Sequence, residues 1–303
     1  LKNNIIKFDD SEITQLVQDS TSNIIKTLEF NSGDNYFPLS SMSELCQNII
    51  SLNDLRGQVE FYFESLILHL DFKDNKWILV SKKGDIFKSK HLVCSSNLLL
   101  HKRSTKVLNT NQIPIRNAIG KNKEPIVDLL IQILNLQAYL PRATFLIYTN
   151  KDYQYKDFYK KKCRQFFLDQ YLENIYKFER LVFQRQKDNK LGIVIHSKNI
   201  KYIDNFINEN NEDKFKQILL KRFNKLFKHN PYINQILNIE NISIMRWRAS
   251  QPKGAPVPLS LQFSKHYKIG FCGDWFAGDG FGRVEGAIMS ALTLANKFKS
   301  LIN

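Results

Sequence analysis

A mixed α/β fold is what this sequence predicts, with a run of short strands, a helix-rich stretch after it, and a strand, glycine loop and long helix at the carboxyl end. Three observations carry the prediction. Ile269 to Lys299 runs through an apolar strand, a Gly-Asp turn, a glycine-rich loop and a long apolar helix. Val59 to Cys94 holds a train of short β-branched and aromatic segments separated by turn dipeptides. From about Lys106 to Gln262, longer helical periodicities alternate with a few strand patterns.

From the amino terminus, Ser11 reads as the cap of a short helix through Val17, and Ser41 with Glu44 forms an S-x-x-E capping box opening a helix through Met42, Leu45, Ile49 and Ile50. Strands follow at Val59 to Phe63, Leu66 to Asp71, Trp77 to Ser81, Ile86 to Lys88 and Leu92 to Cys94, with turn signals at Asp74-Asn75 and Gly84-Asp85. Pro125 suits the first turn of a helix bearing Ile126, Leu129, Leu130, Ile133 and Leu134. Ala143 to Tyr148 and Leu191 to His196 read as strands, and Glu212 to His229 as an amphipathic helix with Phe215, Leu219, Phe223, Leu226 and Phe227 on one face.

With 303 residues, 43% of them hydrophobic, the chain can bury a substantial core as one large or two modest domains. No apolar run reaches membrane-span length, and no signal-peptide pattern opens the chain. The four cysteines are scattered and form no CxxC pair, and the six histidines are equally dispersed, so no metal site is expected and a reducing, cytoplasmic setting fits. The first residue is Leu, which fits a fragment or a processed start.

The formal net charge is +15. Such a balance can mark a nucleic-acid, anionic-membrane or phosphorylated partner. The lysines, however, are interspersed with Asn, Ile and Phe along the whole chain. The densest basic group, Lys160, Lys161, Lys162 and Arg164, sits among aromatics from Tyr155 to Phe167 at helix-like spacing, which reads better as a core face backed by a solvated basic face than as a strand-binding platform. Nucleic acid is therefore not the expected partner; a small molecule is.

The carboxyl-terminal segment has the chemistry of a cofactor site. Ile269 to Cys272 would end a buried strand at Gly273, whose lack of a side chain lets backbone approach a ligand, and Asp274 follows just beyond. Gly278, Gly280 and Gly282 supply a pliable loop, and a helix opening near Val284 aims unpaired N–H groups at whatever lies before it. A ligand-free strand, loop and core helix is the plainer alternative. With these residues in view, the segment resembles the flavin-binding motif of the renalase-like, amine-oxidase-related FAD proteins, most closely at Gly273-Asp274-Trp275 and at Gly282 to Ala287, followed by a small-residue helix with Ser290, Ala291 and Ala295.

The resemblance implies an FAD-binding, Rossmann-like domain with an inserted mixed-sheet substrate domain. Residues 36–105 and 263–303 would form the FAD-binding part, and residues 1–35 and 106–262 the substrate domain with its connecting helices. It implies that Gly273 and Asp274 hold the ribityl chain of FAD, and that Arg283, Val284, Glu285 and Gly286 present the helix amino terminus to the flavin ring. Val59, at the start of the strand run, would pair its backbone with adenine, or else be an ordinary core valine. Arg246-Trp247-Arg248 resembles a run that returns the chain toward the flavin, with Trp247 as a stacking wall and Arg248 as a contact for an anionic group; a packed aromatic with two solvated arginines fits as well. An aromatic often follows that run in relatives, whereas Ala249 stands in this chain.

One departure is larger. The family's amino-terminal strand, GxGxxG turn and helix, which cradle the pyrophosphate, have no counterpart among the twelve glycines of this sequence. Either an upstream segment supplies the cradle and the whole protein is a flavin-dependent oxidoreductase, or the chain is complete and holds FAD poorly. The expected activity is hydride transfer from an amine or dihydronicotinamide-like substrate to flavin N5, and no side chain is singled out as catalytic. The alternatives are a non-catalytic remnant of the flavoprotein fold and a basic-surface binding protein.

Overall fold

The structure is a computed structural model, and it describes residues 6–8, 12–18, 25–29, 36–38, 42–52, 58–120, 124–148, 163–185, 191–197, 212–228 and 241–302. The chain divides into two compact units, residues 1–60 with 141–250 and residues 61–140 with 251–303. These bounds differ from those drawn on the sequence. The helices between residues 103 and 136 fall in the same unit as the carboxyl-terminal helix, because Ile115, Ile119, Val127, Leu130 and Leu134 share one apolar core with Trp77, Ile269 and Phe271.

The first unit opens with β1 (Ile6–Phe8), β2 (Glu12–Gln18), β3 (Ile25–Glu29), β4 (Tyr36–Pro38) and α1 (Met42–Leu52). β1 and β4 form a two-stranded antiparallel sheet. The helix expected from Ser11 to Val17 is a strand instead. Thr14 and Leu16 are buried while Ile13, Gln15 and Val17 are only partly so, which is the period of a strand. Pairing on both edges, to β3 and to a strand far along the chain, overrides a local cap signal. The capping residue Ser41 lies outside the described residues.

The second unit begins after an irregular stretch. Val59 makes an isolated bridge, and Phe61 to Phe63 are exposed and turn at Glu64, whose φ is +55°; the strand expected from Val59 to Phe63 does not form, and a regular ladder begins only at Ile67. β5 (Ile67–Lys73), β6 (Lys76–Ser81) and β7 (Ile86–Ser89) are an antiparallel meander. β8 (Leu92–Cys94) leads into α2 (Arg103–Val107), α3 (Pro114–Ile119) and α4 (Pro125–Leu136), the last two opening on proline, which is suited to the first helical position.

β9 (Ala138–Tyr148) carries the chain back into the first unit, where β10 (Cys163–Leu168), α5 (Gln170–Tyr176), β11 (Phe178–Arg185), β12 (Leu191–Ser197) and α6 (Glu212–Leu226) follow. Phe166 and Phe167 therefore stand on opposite faces of a strand, not on a helix, while Lys160 to Lys162 lie outside the described residues. With β13 (Asn241–Lys253), these strands make a seven-stranded sheet in the order β13-β9-β12-β11-β10-β2-β3, in which β2 and β10 are parallel. One sheet face packs on α5 and α6 through Phe145, Phe166, Leu181, Phe183, Ile195, Leu172, Phe215, Leu219 and Phe223.

β14 (Phe263–Ser264), β15 (Ile269–Phe271) and α7 (Val284–Ile302) complete the second unit. β15 lies between β14, antiparallel, and β8, parallel. Gly270 lets α7 pack closely on β15, since a Cβ there would stand 2.8 Å from the Phe298 ring and 2.9 Å from Leu294, and those side chains would have to shift. No described helix is long and apolar enough to cross a membrane.

Candidate functional site

The second unit brings together Gly273, Asp274, Arg283, Val284, Glu285 and Gly286. β15 extends its parallel ladder by one bond, Cys272 N–H to Cys94 O at 3.1 Å, and then the chain turns away at Gly273, whose φ of +149° suits only glycine. A Cβ at Gly273 would lie 2.2 Å from Trp275 Nε1 and 3.1 Å from Ser95 O, so backbone, indole and the end of β8 meet with no room for a side chain.

Ser290, one of the small residues of α7, locks this turn. Its hydroxyl accepts from Gly273 N–H at 2.8 Å and stands 2.9 Å from both Gly273 O and Ala287 O, its single proton serving one of them at a time. Beyond Asp274, Val257 N–H donates to Trp275 O at 3.0 Å and Ala277 N–H to Val257 O at 2.7 Å, while Trp275 and Phe276 bury their rings.

The glycine loop then folds back. Gly282 N–H donates to Asp274 O at 2.7 Å and Arg283 N–H to Gly280 O at 2.8 Å. Gly280 and Gly286 touch backbone to backbone: a Cβ on Gly286 would lie 2.4 Å from Gly280 O, and one on Gly280 2.6 Å from Gly286 N. The loop thus seats directly on the first turn of α7, where a helix keeps N–H groups without intrahelical acceptors. Asp274 is partly buried, and burial raises its carboxyl above the usual range, against a smaller opposing bond from its own backbone N–H.

A second set of side chains surrounds this turn, and the sequence held no local sign of it. Burial pushes the Tyr139 phenol up to about 12, with the Arg103 guanidinium opposing and the Asp274 carboxylate adding to the shift. Arg103 lies 4.5 Å above the Tyr139 ring and donates to Asn97 Oδ1 at 2.6 Å, and Asn97 Nδ2 donates to the phenol oxygen. Tyr139 in turn donates to Gln137, which holds Ala255 O at 2.8 Å. These residues come from separate elements and meet only in the fold. Among the described residues, Arg103 Nη1 and Trp275 Nε1 are buried donors with no acceptor, a costly state that a polar ligand would relieve.

The other candidates belong to the first unit. Val59 is 41% exposed and Trp247 44%; the Arg248 side chain lies outside the described set, and its backbone is part of β13. Arg246 sits 3.9 Å from Glu212 in a partly exposed ion pair.

No protein-family model and no curated protein sequence matches this chain. Solved structures do. Cyclohexylamine oxidase from Brevibacterium oxydans superposes with a TM-score of 0.57 at 11% identity, over 87% of this chain and 54% of its own. A triple mutant of putrescine oxidase, redesigned in its cofactor binding, gives 0.56 at 11% identity, over 88% and 54%. A protein from Photorhabdus luminescens subsp. laumondii, named as an FAD-containing monooxygenase, gives 0.51 at 10% identity, over 96% and 69%. The chain has the fold of these oxidoreductases, and it spans about half the length of the two amine oxidases.

Proposed function

We propose that this chain carries the flavin-edge half of an FAD-dependent oxidoreductase of the renalase and amine-oxidase type, together with its substrate domain. The observation that carries the reading is the Gly273-Asp274 turn, clamped by Ser290 and closed by the Gly280–Gly286 contact onto the start of α7. The residues fit the group. A partly buried carboxylate without hydrogen-bonding hydroxyls resists ionisation, and the ribityl hydroxyls of FAD are donors of the kind it lacks. Buried Arg103 Nη1 and Trp275 Nε1 match the acceptors of a flavin or phosphate.

In this reading Asp274 accepts from the ribityl chain, and Arg283, Val284, Glu285 and Gly286 hold the helix amino terminus against the pyrimidine edge, where a positive dipole end favours the reduced, negatively charged ring. Val59 offers adenine its main chain, Trp247 stacks on substrate and Arg248 meets an anionic group. Bound flavin supplies a two-electron acceptor at N5 for a hydride from an amine or a dihydronicotinamide. The protein's own part is to orient the substrate and exclude water, and no side-chain base is assigned.

The full-length protein is therefore expected to purify yellow and to release FAD on denaturation. Asp274→Ala should weaken flavin retention about tenfold or more, the worth of one hydrogen bond to a charged group, measured by equilibrium dialysis. A folded, colourless full-length protein whose FAD affinity ignores Asp274→Ala would refute the reading.

A further inference from the structure

The sheet face of the first unit that turns away from α5 and α6 carries a row of polar and aromatic side chains in strict register. Thr144 on β9 faces His196 on β12, His196 faces Arg180 on β11, Arg180 faces Phe167 on β10, and Phe167 faces Gln15 on β2. Directly opposed residues share a face. The row one residue along, Phe145, Ile195, Leu181, Phe166 and Thr14, is buried throughout and packs into the core, so a single sheet separates a dry face from a donor-rich one.

The chemistry of that row is specific. Arg180 Nη2 lies 3.1 Å from His196 Nε2. A guanidinium only donates, so Nε2 must accept and the imidazole proton sits on Nδ1, making Nδ1 a donor. Arg142, two residues before Thr144 on the same face, is ion-paired with Glu179, which stands at the β-bulge between Phe178 and Arg180. Its side chain is only 14% exposed, and Arg142 Nε is buried with no acceptor among the described residues. Burial first, then the charges of Arg180 and Arg142, hold the His196 imidazole below its ordinary range. The Arg180 guanidinium lies 5.7 Å from the centre of the Phe167 ring.

We propose that this face holds an oxyanion-binding site, taking the carboxylate or phosphate of a small molecule on Arg142 Nε, His196 Nδ1 and the Thr144 hydroxyl, with Phe167 as an apolar wall beside Arg180. Three donors on one sheet face, one of them a buried N–H with no acceptor among the described residues, select an acceptor-only group, and the Arg180 guanidinium disfavours an amine. Every residue in the site belongs to the first unit.

Isothermal titration of the full chain at fixed ionic strength, with inorganic phosphate, succinate and 1,4-diaminobutane as separate probes, tests it. Saturable binding of phosphate or succinate is expected, with no binding of the diamine. Thr144→Val and His196→Gln, which keep shape, should each weaken it about tenfold, and Arg142→Gln should abolish it where that variant folds. Lys221→Gln removes one charge from the exposed side of α6 and should leave it unchanged. Phosphate alone or succinate alone would identify the anion and support the site. Absence of binding by both anions, equal binding of the diamine, or equal weakening by Lys221→Gln and Thr144→Val would overturn it.

Discussion

Gly286 shows how closely one atom can be specified. In the third position of a helix, glycine to alanine ordinarily stabilises by about 1 kcal/mol. Here the added methyl would lie 2.4 Å from the Gly280 carbonyl oxygen, backbone that has little freedom to yield. Gly286→Ala is therefore expected to destabilise, by roughly 1–3 kcal/mol as in an overpacked core, in urea denaturation; a stabilised variant would show that the loop does not seat on the helix. His196 makes a prediction in pH. Burial first, then Arg180 and Arg142, lower its pKa from 6.5 to about 4. Above 6.5 neither state is protonated; below it the unfolded chain takes up a proton that the folded ring refuses until about pH 4, so stability falls across that window. The loss reaches about 3 kcal/mol at its lower end. Denaturation at pH 7.5 and 4.5 should show this loss in the wild type and its absence in His196→Gln, relative to the background of the other titrating groups.

Elements whose period is set by their own residues were legible. The meander follows from alternation, as in β6, where Trp77 and Ser81 are buried and Lys76 is exposed; α4 and α6 follow from proline placement and an apolar stripe. Elements decided by distant partners were not. The segment from Glu12 to Gln18 carries a helix cap signal yet becomes a strand because β3 and β10 flank it, and Val59 to Phe63 has strand composition but is no strand among the described residues. Trp77 ties the meander to the approach of β15: it is fully buried, and Nε1 donates to Tyr267 O at 2.7 Å. Trp77→Ala should cost about 3–5 kcal/mol and Trp77→Phe distinctly less, read from chemical denaturation; near-equal losses would mean that the hydrogen bond, and not the packing, dominates.

Across the whole molecule, each compact unit has an apolar core of its own, and the candidate residues divide between them. The flavin-edge set falls in one and Val59, Trp247 and Arg248 in the other. The charge of +15 belongs to the chain as a whole. Since its basic residues are spread along the sequence, any affinity for single-stranded DNA should be of the counterion-release kind, present near 50 mM salt and lost by roughly 200 mM. Fluorescence anisotropy across that range checks it, and binding that survives high salt would favour a dedicated nucleic-acid surface.

The sequence by itself determined the order strand, Gly-Asp turn, glycine loop and helix from Ile269 to Lys299, because glycine spacing, a carboxylate and apolar periodicity are local properties that the chain cannot hide. It also announced the positions of Asp274 and Gly286. Only the tertiary structure decided that Ser290 clamps Gly273, that Asn97, Arg103 and Tyr139 gather near Asp274, and that Thr144, His196, Arg180 and Phe167 stand in one row. The physical reason is common to all three: these contacts join residues from separate elements, and a polar side chain's meaning is set by the partners that burial leaves it, which no local spacing records.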